Sequence, residues 1–215
     1  MVLKLHGSPV STCTKRVAMV LHEKNVPFEF HPVDLAKGEQ KAPEFISRQP
    51  FGQVPYIDDD GFILYESRAI RSTSLQNMPT KAHHWSQRTS RITLSSGKVL
   101  QLKHPTSILM LRNSHTKDSL NRDIYGLQTS EEAAKQAEDL LNAKLDVYEQ
   151  ILSKQKYISG NALTLADLFH LPYGALLALC KCDAIEKRPA VAKWFNELVS
   201  RPSWQAVQGG VKGTA

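Results

Sequence analysis

Residues 2–6, VLKLH, alternate apolar and polar side chains with the two-residue period of a half-buried strand. GSPVS then turns the chain into a helix expected from about Thr12 to Lys24. PFEFHPV, at 27–33, reads as a second strand, LAKGEQK as a polar loop, and APEFISRQ as a short helix with Pro43 in its first turn. FGQVPYIDDDGFILYES supplies two short strands around Asp60-Gly61, a hairpin signal, and Glu66 and Ser67 open another helix. The order is βαβαββα.

Beyond Asp123 the pattern changes to helical. Ala137, Leu140, Leu141, Leu145, Tyr148, Ile151 and Leu152 recur at three- and four-residue steps behind a capping box of Thr129 and Glu132. LTLADLFHLPYGALLALC places Thr164 as N-cap, Asp167 three residues on, and Leu163 opposite Leu168 as a staple. It is apolar nearly all round, so a buried helix bent or interrupted near Pro172 is expected. A last helix starts at Pro189 and stops before Pro202, and the tail after Val207, QGGVKGTA, is expected to be loose. The fold class is therefore an α/β domain followed by an all-α domain.

At 215 residues and 41 % apolar content the chain can bury a substantial core. No apolar run reaches a membrane span and MVLKLHGSPV lacks the core of a secretion signal, which points to a cytoplasmic protein with no membrane partner. Three cysteines, Cys13, Cys180 and Cys182, form no CxxC pair and read as reduced thiols rather than metal ligands. The net charge of +6 invites a nucleic-acid reading, but it is concentrated between Arg71 and Arg122, where nine Lys and Arg face the single acid Asp118; the remainder is mildly acidic. Duplex binding is not expected of such a chain.

GSPVSTCTKRV, GEQKAPEF, PFGQVPYIDDDGFILYESRAI and LTLADLFHLPYG with RPAVAKWFNELVSRPSW together resemble a cytosolic glutathione transferase of the phi class, over about residues 1–70 and 123–208. The resemblance implies a thioredoxin-like glutathione-binding domain at 1–78, an all-helical domain at 123–215, and a homodimer. It also implies an activity: conjugation of glutathione to small hydrophobic electrophiles, with glutathione as substrate and no metal or other cofactor.

A free thiol near pKa 8.5 is mostly protonated at neutral pH, so the site must stabilise negative sulfur. Ser11 lies at the N-terminus of the first helix, where a hydroxyl can donate and the helix dipole favours an anion. The residue alone reads as a helix cap; the family motif makes it the thiolate-stabilising residue. By the same match Val54-Pro55 is a cis-proline turn whose main chain pairs with the peptide-like middle of glutathione, with Gln53 beside it. Glu66 and Ser67 meet the γ-glutamyl end, and Gln40 with Lys41 the glycyl carboxylate. Two rivals remain: a non-catalytic carrier of glutathione or hydrophobic ligands, and a thiol transferase acting through Cys13.

Residues 71–122 depart from the family, with fifteen Ser and Thr and neither helical nor strand period where two helices are expected. A one-base offset explains them. RSTSLQNMPTK, with suitable synonymous codons, reads IYIATKYANK in the shifted frame and continues the helix of ESRAI; VLQLKHPTSILMLRNSHTK yields helix-like text in the same offset. His83-His84 and the basic residues of 79–122 are on this reading products of a shifted frame rather than metal or nucleic-acid sites.

Overall fold

The computed structural model describes residues 2–73, 131–179 and 182–215. The chain divides into two compact units, Met1–Ile92 with Ser200–Ala215, and Thr93–Val199. The expected capping box at Thr129, Cys180, the histidine pair and nearly all of the anomalous basic segment lie outside the described residues.

In the first unit, strand β1 (Leu3–Gly7), helix α1 (Thr12–Glu23) and strand β2 (Phe28–Pro32) form a βαβ crossover, with β1 and β2 parallel. A short helix α2 (Pro43–Ile46) precedes the hairpin β3 (Tyr56–Asp59) and β4 (Phe62–Tyr65), and helix α3 (Ser67–Thr73) follows. The sheet order is β2-β1-β3-β4, with β3 antiparallel to both neighbours. The hairpin turns at Asp60 and Gly61 with φ of 53° and 86°, the paired left-handed geometry that an Asp-Gly sequence favours. Leu3, Leu5, Phe28 and Ile57 are buried on the sheet. α1 ends at the C-cap Lys24, followed by Asn25 at φ 53°, a conformation asparagine tolerates.

Buried positions on α1 run almost without interruption from Thr14 to Leu21, wider than one amphipathic stripe, because α3 and the helix α8 (Pro202–Gln208) both pack on it. Two sequence expectations are corrected here. Pro202 does not merely stop the preceding helix; it begins α8 at a position where its missing N–H costs nothing. The tail is not loose, since Val211 is 3 % exposed and Thr214 hydrogen-bonds with Phe28. Ser200–Ala215 group with Met1–Ile92 in the first unit.

The second unit contains α4 (Glu131–Leu152), α5 (Leu165–Leu168), α6 (Leu171–Leu179) and α7 (Pro189–Val199). α4 buries Ala137, Leu141, Leu145, Tyr148 and Leu152, whereas Leu140, placed by spacing in the same stripe, is 47 % exposed. The apolar helix expected after Thr164 is broken before Leu171, so Pro172 falls in a first turn, where proline is tolerated. Glu149 of α4 accepts the N–H groups of Ala190 and Val191 at 3.1 and 3.0 Å, placing a carboxylate at the positive end of α7. Asp167, fully buried, accepts from Thr164 N and Oγ1, Ile158 N and Trp194 Nε1. The sequence reading of Asp167 as a capping residue rather than a catalytic acid describes half of these bonds.

Candidate active site

β1 ends at Gly7, and the next four residues turn the chain into α1. Ser11 N–H donates to the Ser8 carbonyl at 3.1 Å, and the Ser11 carbonyl accepts from Lys15 N at 2.9 Å. Ser11 is the N-cap residue, with extended backbone at φ −63° and ψ 131°, but its hydroxyl makes no capping bond. The ordinary structural use of a serine at this place is therefore not taken up. Ser11 is half-buried at the N-terminus of a twelve-residue helix, whose first-turn N–H groups have no intrahelical acceptor.

The pairing of His6 with Tyr56 brings the residues before β3 to the same end of the sheet as this turn. The Val54-Pro55 peptide is cis, with Pro55 buried and Val54 half-buried. Val54 is in no main-chain to main-chain hydrogen bond outside the helices and strands among the described residues. Gln53 next to it is exposed.

Gln40 and Lys41 reach this loop through Gly52. Its φ is 58°, and a Cβ there would lie 2.8 Å from the Gln40 carbonyl oxygen and from Lys41 Nζ, so only glycine permits the approach. Lys41 Nζ donates to the Phe51 carbonyl at 3.2 Å, and Gln40 Oε1 is buried without a hydrogen-bond partner among the described residues. Glu66 sits immediately before α3 with φ 67°, a left-handed conformation unusual for a glutamate, and its side chain is exposed. Ser67, 8 % exposed, accepts from Arg16 Nη1 at 2.9 Å.

All eight residues singled out in the sequence thus fall in the first unit, on the loops after β1, before β3 and after β4, at the start of α3 and on the short turn at Glu39–Lys41. Sequence reasoning missed Arg16, which is 3 % exposed. The available signal was a basic residue at the head of the apolar run VAMVL. Cys13 is half-buried in the first turn of α1; Cys182 is buried, and that burial pushes its thiol pKa up, as suits a packing residue. Among the described residues no three His, Cys, Asp or Glu side chains cluster as metal ligands, and no helix is long and apolar enough to cross a membrane.

Two family descriptions match the chain: glutathione S-transferase, N-terminal domain, over residues 1–72, and glutathione S-transferase, C-terminal domain, over residues 100–202. The chain belongs to the glutathione S-transferase family. It is 41 % identical over 206 residues to glutathione S-transferase PM239X14 of Arabidopsis thaliana, covering 90 % of this chain and 89 % of that protein. The crystal structure of glutathione transferase F7 from Populus trichocarpa superposes with a TM-score of 0.80 at 33 % identity, over 97 % of this chain and 98 % of the other. Glutathione S-transferase I from maize, solved in complex with an atrazine glutathione conjugate, gives a TM-score of 0.81 at 29 % identity, covering 97 % of each chain. These similarities agree with the phi-type resemblance read from the motifs and with a thioredoxin-like N-terminal domain followed by a helical one.

Proposed function

We propose that this member of the family conjugates glutathione to small hydrophobic electrophiles, by addition or aromatic substitution, using Ser11 to hold the sulfur as thiolate. The observation that carries this reading is the Ser11 hydroxyl, set at the positive end of α1 and not spent on capping. A thiolate there accepts a hydrogen bond from the hydroxyl and is favoured by the helix dipole, both of which lower the thiol pKa. The ligand's main chain pairs with Val54 beside cis-Pro55, flanked by Gln53. Gln40 and Lys41 hold the glycyl carboxylate; the Ser67 hydroxyl holds the γ-glutamyl carboxylate and Glu66 its ammonium. The same proposal places the protein in the cytoplasm and gives a homodimer to the frame-restored chain, whereas the chain as written, with a polar, basic run at 71–122 in place of two helices, is expected to be monomeric or poorly folded.

Conjugation of chlorodinitrobenzene by the full chain, Ser11→Ala and Cys13→Ser tests it. Ser11→Ala is expected to lower kcat by about 10² or more, the scale of losing one donor to the reacting anion, with Cys13→Ser near the parent. Absence of any Ser11-dependent rate means a carrier; a rate lost with Cys13→Ser and kept in Ser11→Ala means a thiol transferase. Reading the messenger across codons 65–130 tests the shifted frame proposed for residues 71–122, and a single clean frame without family-like text in the offset rejects it. Size-exclusion chromatography beside the frame-restored chain tests the dimer.

A further inference from the structure

The turn that delivers Ser11 to α1 consists of Ser8, Pro9, Val10 and Ser11, closed by the bond from Ser11 N–H to the Ser8 carbonyl. In a four-residue turn the peptide between the two central residues can reorient while the ends stay in place, and that orientation distinguishes one turn type from another. Here its carbonyl, on Pro9, accepts the N–H of Val211 at 3.0 Å. The partner is itself well anchored. Val211 is 3 % exposed, and the chain is pinned on either side of it: Lys15 Nζ donates to the Gln208 carbonyl at 2.8 Å, and Thr214 N donates to the Phe28 carbonyl at 2.9 Å. Phe28 N returns a bond to Thr214 Oγ1 at 3.0 Å. Gly213 passes so close to β2 that a Cβ would stand 3.0 Å from Phe28 O and Phe30 N. Because β2 is an edge strand, the segment also covers main-chain groups that would otherwise be open.

We propose that residues 208–215 form a strap that positions Ser11: the Val211 amide fixes the Pro9–Val10 peptide and so holds the hydroxyl where a bound sulfur needs a donor. Val211 touches no substrate; it is a positioning residue. The inference rests on the reading of Ser11 given above. It follows from the steep dependence of a hydrogen bond on distance and angle, which makes a serine on an unsecured turn a poor donor to one fixed sulfur. The strap therefore acts on thiolate formation more than on glutathione binding, because the groups assigned to the rest of the tripeptide lie on other loops.

The test compares the full chain with truncations ending at Gly210 and at Lys212, with Val211→Ala, and with Ser11→Ala. Amide hydrogen exchange at Ser11, the pH dependence of the bound glutathione thiolate absorbance, kcat and KM for glutathione are measured on each. Truncation at Gly210 is expected to speed Ser11 exchange by about tenfold or more. It should also lower kcat by about fivefold and move the thiolate profile to higher pH, with KM within about twofold. Truncation at Lys212 keeps the Val211 amide but removes the Thr214 pin on Phe28, and should change every measure less than truncation at Gly210 does. If the shorter truncate does not fold, Val211→Ala, which keeps the amide but removes the buried side chain that anchors it, should show the same changes at smaller amplitude. Unchanged Ser11 exchange, or equal effects from both truncations, overturns the strap. Conjugation that survives Ser11→Ala instead overturns the catalytic reading, while the exchange data still decide the strap.

Discussion

Arg16 Nη1 donates to the Ser67 hydroxyl at 2.9 Å, a bond buried at both ends that joins the first helix to the third. A guanidinium can only donate, so Ser67 Oγ must accept here, and its own proton is turned toward another acceptor. For the γ-glutamyl carboxylate proposed at this position, that is the useful orientation. Arg16→Met should weaken glutathione binding about tenfold, with Arg16→Lys recovering part of it and Ser67→Ala matching Arg16→Met. The double variant should be little worse than either single one, a coupling of about 1–2 kcal/mol in glutathione Kd by calorimetry. Additive losses would mean that Arg16 does not act through Ser67.

Glu66 holds a left-handed backbone at φ 67° while its side chain is exposed. The conformation costs a non-glycine residue about 1–2 kcal/mol, and glycine gives back about 0.5–1 kcal/mol of that relief through the greater freedom of its unfolded chain. Glu66→Gly should therefore keep or slightly raise Tm, yet lose glutathione affinity if the carboxylate meets the ligand ammonium. Glu66→Gln keeps the strain and loses the charge. A Glu66→Gly protein that is both less stable and equally tight in binding would remove Glu66 from the site and make its backbone purely structural.

His6 lies in a cross-strand stack, 4.5 Å from the His31 ring and 4.4 Å from Tyr56 between centroids. Burial, then the neighbouring His31, holds its pKa down at about 4, against smaller opposing and reinforcing effects of Asp58, Lys4 and Arg48. A base with a depressed folded-state pKa stays neutral in the fold while the unfolded chain protonates near 6.5. Stability is thus lost as pH falls from about 6.5 to 4 and levels off below, where both states carry the proton. Half-exposure limits the loss to about 1–2 kcal/mol. Urea midpoints measured from pH 7 to 4 should fall less steeply in His6→Gln than in the parent. Parallel curves would show that another group controls acid sensitivity.

What the sequence made legible was whatever local spacing determines. The Asp60-Gly61 hairpin, the end of α1 at about Lys24, the interruption near Pro172 and the bond between Thr164 and Asp167 all follow from residues a few positions apart. Arg16 was illegible because α1 is covered on several sides, so no polar stripe marks which of its charged residues turns inward. The tail was misread for a related reason: QGGVKGTA has no period, and its order comes from main-chain bonds to Pro9 and Phe28, far away in the chain. Among site residues, the positions came from motif, and spacing could not show that the Ser11 hydroxyl goes unused as a cap.

Asp167 shows how one local motif becomes a long-range fastener. Oδ2 takes Thr164 N at 2.9 Å and Thr164 Oγ1 at 2.7 Å, while Oδ1 takes Ile158 N at 2.9 Å and Trp194 Nε1 at 3.0 Å. Two of these donors are local to the α5 cap; the other two lie on the preceding loop and on α7. Replacing the carboxylate with alanine strands all four donors in a fully buried place, a loss of about 3–5 kcal/mol for breaking a buried charged network. Asp167→Asn keeps the shape but points an NH2 group at one pair of donors, so an intermediate loss of about 1–3 kcal/mol is expected. Equilibrium unfolding in urea, followed by tryptophan fluorescence because Trp194 itself reports on the bond, should rank the parent above Asn and Asn above Ala. A variant Thr164→Val, which removes only one donor, should lie close to the parent; should it instead match Asp167→Ala, the cap alone would account for the effect and the links to Ile158 and Trp194 would carry little.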